Sequence, residues 1–308
     1  MRLAILGLGR MGANMARRMV RGSIEVVGYN RSQGIVQELA KEEGLIPAAS
    51  LQQVAEQLPG PDGGPRVLWL MLPAGAATET TLQELIPFLT EGDIVVDGGN
   101  ANYHDSQRRG QQLAAHDLHF IDAGVSGGVW GLAEGYCIMA GGEKAAMEAL
   151  TPALKVLAPA PDRGWAHVGP VGSGHFTKML HNGIEYGMMQ AFAEGFALLK
   201  NKPEFDLDIA QIAELWRHGS VVRSWLLDLT ADFLSADQEL EAVAPFVADS
   251  GEGRWTVQES IDQGVPAPVL SMALAMRFAS QDSEGYPYRL LAMMRNAFGG
   301  HTLGEQKK

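Results

Sequence analysis

A single cysteine, Cys137, stands in 308 residues, so no internal disulfide can form and a reducing compartment is expected. Basic residues are in the minority: 24 Lys and Arg against 36 Asp and Glu leave a net charge of −12. So acidic a chain offers no general surface to nucleic acid or an anionic membrane, and an anionic substrate needs a local group of cations. No run of 18 apolar residues is free of charge or turn signals, so no membrane span is expected. Arg2 leads at once into a strand-like run without the pattern of a signal peptide, and a cytoplasmic protein is expected. Internal repeats and low-complexity segments are lacking too. Hydrophobic residues (46%) and glycine (37 residues, many in short clusters) are abundant, enough for two cored domains with close approaches of backbone to a ligand.

The first half alternates strand and helix signals. Apolar runs at 3–6, 24–29, 67–72, 94–96 and 118–121 read as strands, and 11–20, 32–43, 76–88 and 106–115 as helices. A turn-rich connector lies at 59–65, and a last short strand at 166–168 between two Pro/Gly-rich stretches. Beyond residue 175 only helices are expected, at 176–200, 209–218, 224–234, 256–263, 267–279 and 288–297. The pattern predicts an α/β, Rossmann-type, doubly wound parallel sheet followed by an all-α domain. The expected division is 1–170 for dinucleotide binding and 171–308 for substrate binding and dimerisation.

Gly7-Leu8-Gly9-Arg10-Met11-Gly12 fits G-x-G-x-x-G between a predicted strand and a predicted helix, which is the context that motif requires. The glycines permit a tight turn against a pyrophosphate, and the helix N-terminus supplies N–H groups. At the end of the second strand an NAD site usually carries an acid; here stand Asn30, Arg31 and Ser32, all able to donate to a 2′-phosphate. Arg10 adds a charge nearby. NADP is therefore expected ahead of NAD. The competing reading is a helix cap at Asn30 or Ser32 beside a solvated Arg31.

Three further features bear on chemistry. Ser126, Gly127 and Gly128 offer a hydroxyl and open N–H groups to a carboxylate or hydroxyl, although such a sequence is also a common loop. Lys178, His181, Asn182 and Glu185 lie at i, i+3, i+4 and i+7, so a helix puts them on one face. That face suits a solvated salt-bridge ladder, but its place just after the domain junction favours a cleft, where Lys178 can act as a base and Glu185 as an acid. Met179, Ile184, Met188, Phe192 and Phe196 are expected to pack the same helix. Near the C-terminus Arg277, Arg289, Arg295 and His301 group as a candidate anion site.

These motifs together resemble 6-phosphogluconate dehydrogenase (decarboxylating), in the shorter form without a long C-terminal extension. The resemblance runs from Gly7 to His301 and is carried by Asp97-Gly98-Gly99-Asn100, Val125 to Gly128, Lys178 to Tyr186, Gly253-Arg254-Trp255-Thr256 and Arg295 to His301. It implies that Lys178 takes the proton from the C3 hydroxyl and returns one to the carbonyl oxygen as CO2 leaves, and that Glu185 protonates C1 of the enediol to give ribulose 5-phosphate. It implies substrate contacts from Asn100, Ser126, Gly127, Gly128, His181 and Asn182. Phosphate contacts fall to Tyr186, Arg277, Arg295 and His301, the last two from a second subunit of a homodimer or homotetramer. The dinucleotide falls to Gly7 through Gly12, Asn30 to Ser32, Leu72, Pro73, Ala74 and Asn100. No metal is implied, because a β-keto acid is its own electron sink. The resemblance places the chain in the pentose phosphate pathway or gluconate utilisation. Ser250 and Glu252 stand where the longer enzymes carry a Lys and a Thr for the phosphate; a carboxylate would repel that group, so this part of the site is built differently or Arg277, Arg295 and Arg254 meet the charge instead. Shorter forms often use NAD, so some use of both cofactors is expected. A non-decarboxylating β-hydroxyacid dehydrogenase, of the 3-hydroxyisobutyrate or tartronate semialdehyde type, has no need of Glu185 or a terminal Arg–His pair. A non-catalytic dinucleotide sensor needs neither Lys178 nor Glu185.

Overall fold

The computed structural model describes residues 1–58 and 64–304, with the side chain of residue 298 left aside. Most of the expected 59–65 connector thus lies outside the described residues. The chain divides into two compact units, Met1–His181 and Asn182–Lys308.

The first unit is built on eight strands: β1 (Arg2–Leu6), β2 (Glu25–Tyr29), β3 (Ile46–Pro47), β4 (Val67–Leu70), β5 (Ile94–Asp97), β6 (His119–Ser126), β7 (Cys137–Gly142) and β8 (Trp165–Gly169). Interleaved are helices α1 (Arg10–Arg21), α2 (Gln33–Glu43), α3 (Leu51–Glu56), α4 (Ala76–Leu85), α5 (Tyr103–Ala114), α6 (Gly131–Glu134) and α7 (Lys144–Leu157). α8 (Ser173–Lys200) begins in this unit and continues into the second, which holds α9 (Ile209–Arg217), α10 (Trp225–Ala236), α11 (Glu252–Asp262), α12 (Pro268–Gln281) and α13 (Tyr286–Gly299).

The sheet order is β3-β2-β1-β4-β5-β6-β7-β8. β1 to β6 pair in parallel, whereas β7 pairs antiparallel to β6 and β8 follows β7, so the far edge runs the other way. Side chains alternate between faces along each strand. Leu3, Ile5, Trp69 and Val96 therefore join a core with α1, α2 and α7, while Ala4, Leu6, Leu68, Leu70 and Val95 join one with α3, α4 and α5. Burial on both faces explains why these strands read as unbroken apolar runs.

β6 is longer than expected: Asp122 to Ser126 continue the strand instead of forming a loop, because β7 pairs with them through Ser126. β7 and α7 carried no strong signal, β7 being rich in small residues (CIMAGG) and α7 holding Pro152 inside it. The expected division at residue 170 falls at the lead-in to α8. The compact units part eleven residues later, because the first turns of α8 pack on β6 and β7. In the second unit the helices stand within a few residues of their expected positions.

Candidate active site

The register lines up the ends of the parallel strands: Leu6 faces Tyr29 and Leu70, Leu70 faces Asp97, and Asp97 faces Asp122. The segments after these strands therefore leave the sheet at one edge, where α/β sheets bind ligands. They carry Gly7 to Gly12, Asn30 to Ser32, Leu72 to Ala74 and Asn100.

The glycine turn fits a dinucleotide. A Cβ on Gly12 would sit 2.0 Å from the Gly7 carbonyl oxygen, and one on Gly7 2.4 Å from that of Met71, so neither position admits a side chain. A Cβ on Gly9 would meet nothing within 4 Å, so the middle of the turn is open to a ligand. Gly9 starts α1 without a side-chain cap, and the first turn holds no acid, which leaves its N–H groups to an anion.

Asn30 serves the turn itself. Its Oδ1 accepts the Leu8 N–H at 3.0 Å, and its Nδ2 donates to the Ser32 carbonyl at 3.0 Å. It is therefore neither a cap of α2 nor turned outward. Ser32 starts α2 without a side-chain cap bond, and Arg31, Ser32 and Arg10 are exposed. Asn100 is exposed on a loop held from below: Asp97 Oδ1 accepts the Gly99 N–H at 3.0 Å, and Asp97 Oδ2 pairs with the fully buried Arg109 at 2.8 Å. Breaking such a buried pair costs roughly 3–5 kcal/mol. The sequence reading missed it, because partners twelve residues apart carry no local pattern.

β6 and the start of α8 meet more closely. A Cβ on Gly124 would lie 2.3 Å from the Lys178 Cβ and 2.9 Å from the Gly174 carbonyl oxygen, so only glycine lets the helix rest there. Two residues on, Ser126 Oγ is 3.4 Å from His181 Nε2. The strand then turns through Gly127 and Gly128, both at positive φ (+128° and +50°), which glycine tolerates and other residues rarely adopt. Gly128 is exposed.

Along α8, Lys178, His181, Asn182 and Glu185 are all half-buried, while Ile184 (56%) and Met188 (39%) are exposed. The expectation that Ile184 and Met188 pack the helix is therefore corrected, and so is the solvated-ladder alternative: here the polar stripe is the more enclosed one. Met179 and Phe196 are buried as expected, and Phe192 packs beside Phe196.

In the second unit Glu252 is buried, and its Oε1 accepts the Asn182 Nδ2 at 2.9 Å. The carboxylate flagged as hostile to phosphate is thus committed to an amide. The Tyr186 ring lies between Gly253, whose Cβ would come within 2.4 Å of it, and the Arg277 guanidinium, whose carbon is 3.4 Å from the ring centroid. Arg277 also donates to the Ala248 carbonyl at 2.7 Å. The Tyr186 hydroxyl is within 3.5 Å of Asp249 Oδ1 and 3.4 Å of Ser250 Oγ. Arg254 pairs with Asp249; burial raises that carboxyl's pKa, but the Arg254 hydrogen bond and charge prevail, and it lies below the ordinary value. Tyr186, Arg277, Arg254 and Ser250 are thus gathered, while Arg295 and His301 lie exposed at the end of α13.

A nucleotide-binding sheet of this order, with its glycine turn at the first strand and a helical unit after it, defines a dehydrogenase dependent on NAD or NADP. Residues 2–169 match the NAD binding domain of 6-phosphogluconate dehydrogenase, and residues 174–286 match its C-terminal domain. The chain belongs to the 6-phosphogluconate dehydrogenase family, and to its decarboxylating kind. It is 40% identical over 307 residues to the NAD(+)-dependent, decarboxylating 6-phosphogluconate dehydrogenase of Haloferax volcanii, covering 99% of each chain. It is 39% identical to a putative 6-phosphogluconate dehydrogenase of Bacillus subtilis, covering 98% of this chain and 99% of that one. Among solved structures, the Plasmodium falciparum 6-phosphogluconate dehydrogenase superposes with a TM-score of 0.83 at 27% identity, over 100% of this chain and 67% of that one.

Proposed function

We propose that Lys178 and Glu185 carry the oxidation and decarboxylation of 6-phosphogluconate to ribulose 5-phosphate and CO2. The observation behind this is the half-buried polar stripe of α8, with Lys178 seated against Gly124 two residues before Ser126. A bound dinucleotide supplies the acceptor for the hydride from C3. Lys178 takes the proton from the C3 hydroxyl and gives one back to the carbonyl oxygen as the C1 carboxylate departs as CO2. Glu185 then protonates C1 of the enediol. Asn100, Ser126, Gly127, Gly128, His181 and Asn182 hold the substrate chain, and Tyr186 and Arg277 its phosphate.

Arg295 and His301 complete the phosphate site from a second copy in a homodimer or larger homo-oligomer. Supporting this, Val269, Met272 and Met276 form an exposed apolar stripe at i, i+3 and i+7 of α12, and α13 exposes Leu291, Met293 and Met294. NADP is preferred over NAD, on the exposed Arg31, Ser32 and Arg10 and the lack of an acid at the end of β2. Among the described residues no helix is long and apolar enough to cross a membrane. A cytoplasmic role in the pentose phosphate pathway or gluconate utilisation follows from the proposed substrate.

The test is reduced-nicotinamide absorbance and CO2 release with 6-phosphogluconate, in the natural protein and in Lys178→Met. The variant should lose at least about a hundredfold in kcat, the share a positioned base commonly supplies, while still binding NADP. Normal turnover in Lys178→Met would remove the base. Cofactor reduction without CO2 would favour a non-decarboxylating β-hydroxyacid dehydrogenase.

A further inference from the structure

We infer that Asp122, together with Ser106 acting through His175, sets the position of Lys178 against strand β6. These are positioning residues, and the inference rests on Lys178 being the base. Asp122 is fully buried in β6 and spends both carboxylate oxygens on the lead-in and first turn of α8. Oδ1 accepts the Gly172 N–H at 2.6 Å, and Oδ2 accepts the His175 N–H at 2.7 Å. The first N–H groups of a helix have no partners within it, and here an anion from a neighbouring strand meets two at this end. Burial pushes the Asp122 carboxyl pKa up. A buried carboxylate whose two oxygens both accept N–H groups at one helix start reads as a device for placing that helix.

A second tie comes from α5. His175 Nδ1 is 2.6 Å from Ser106 Oγ, with both residues buried. Ser106 Oγ also donates to the Asn102 carbonyl at 3.4 Å, so Ser106 is held between the cap of α5 and the imidazole. The start of α8 is thus tied to β6 and to α5, whose Arg109 also secures the Asn100 loop.

The consequence for Lys178 is one of register. Asp122, Gly124 and Ser126 face the same side of β6, and they meet the 172–175 N–H groups, Lys178 and His181 in that order. Two strand residues advance about 6.6 Å and three helical residues about 4.5 Å, so the two ladders keep this pairing only while the first rung is fixed. Releasing that rung lets the ammonium drift from its seat. A misplacement of about 1 Å costs a reaction roughly a hundredfold.

The experiment compares full-length Asp122→Asn and Ser106→Ala with the natural protein and Lys178→Met. In Asp122→Asn one amide hydrogen replaces an acceptor and faces an N–H. Its kcat should fall about 10- to 100-fold, and that of Ser106→Ala about 3- to 10-fold, with KM for NADP changed by less than about twofold in each. Natural kcat in both variants overturns the inference, as does a kcat loss matched by a parallel rise in KM for NADP, which marks general loosening of the sheet. Should Asp122→Asn not fold, Ser106→Ala decides alone by the same measure. Lys178→Met that turns over normally overturns the base assignment itself. An inactive Lys178→Met beside normal Asp122→Asn and Ser106→Ala overturns only the positioning role.

Discussion

The two units of the chain bury their apolar residues on opposite terms. In Met1–His181 the sheet has a core on each face, and most of its strand residues are closed to solvent. In Asn182–Lys308, among the described residues, the cores are small: Phe196, Ile209, Ala213, Leu227, Ala231 and Leu234 in one, and Tyr186, Ala273 and Leu274 in the other. Much of the apolar surface of α12 and α13 stays open. Small cores stabilise weakly, and large apolar surfaces seek cover. The sheet unit encloses most of its apolar strand residues, whereas the helical unit leaves many of its own in the open. In the proposed reading that difference separates what each region supplies: the sheet brings the nucleotide edge, and the helices bring a phosphate site that a second copy completes.

The sharpest way to break this contrast is to charge the α12 stripe. Val269 and Met272 are 65% and 61% exposed, so Val269→Glu with Met272→Glu costs the isolated chain little. If the stripe is covered by a second copy, two carboxylates buried there should weaken association by at least about a hundredfold. Sedimentation velocity at fixed concentration reads this directly, and an unchanged sedimentation coefficient would refute the covered stripe. Arg31→Ala probes the sheet edge. Losing a charge-assisted contact to a 2′-phosphate should raise KM for NADP by about 10- to 100-fold and leave that for NAD in place. Equal changes for the two cofactors would end the 2′-phosphate reading.

The smallest effect concerns the sheet unit's own ion pairs. Glu79 takes hydrogen bonds from Arg108 and Arg109, and the Arg108 bond above all lowers its pKa. A carboxyl whose pKa is lower in the folded state stabilises above its ordinary pKa and loses that contribution as pH falls through the folded value. Glu79→Gln should therefore cost about 1 kcal/mol near neutrality, a drop of roughly 2–4 °C in Tm. The gap from the natural protein should close in acid. A gap that widened as pH fell would contradict the pairing.

What the sequence disclosed follows from how local each signal was. β1, α1 and β2 were legible because burial on both faces leaves an unbroken apolar run and the glycine turn has a fixed spacing. β7 was not, since small residues pair as well as large ones when a neighbouring strand supplies the partner. The α8 stripe was found from its helical period and its enclosure was expected from its place after the domain junction, yet its packing residues were misread: Ile184 and Met188 look like core and stand exposed. Asp122 stands just ahead of a motif read for its serine and glycines. Its hydrogen bonds reach residues fifty positions away, and no spacing within one helix or strand records them. Glu252 looked like an obstacle for the same reason, its partner Asn182 being remote in the chain.

The two bonds of Asn30 bear on any effort to retarget the cofactor. Swapping this residue for aspartate, the obvious graft from an NAD-selective template, keeps an acceptor for Leu8 but sets a carboxylate oxygen against the Ser32 carbonyl. Such a graft loosens the hinge-pin of the phosphate turn before it gains a ribose contact. A designer is better served by leaving the pin alone and placing the acid one or two steps further along.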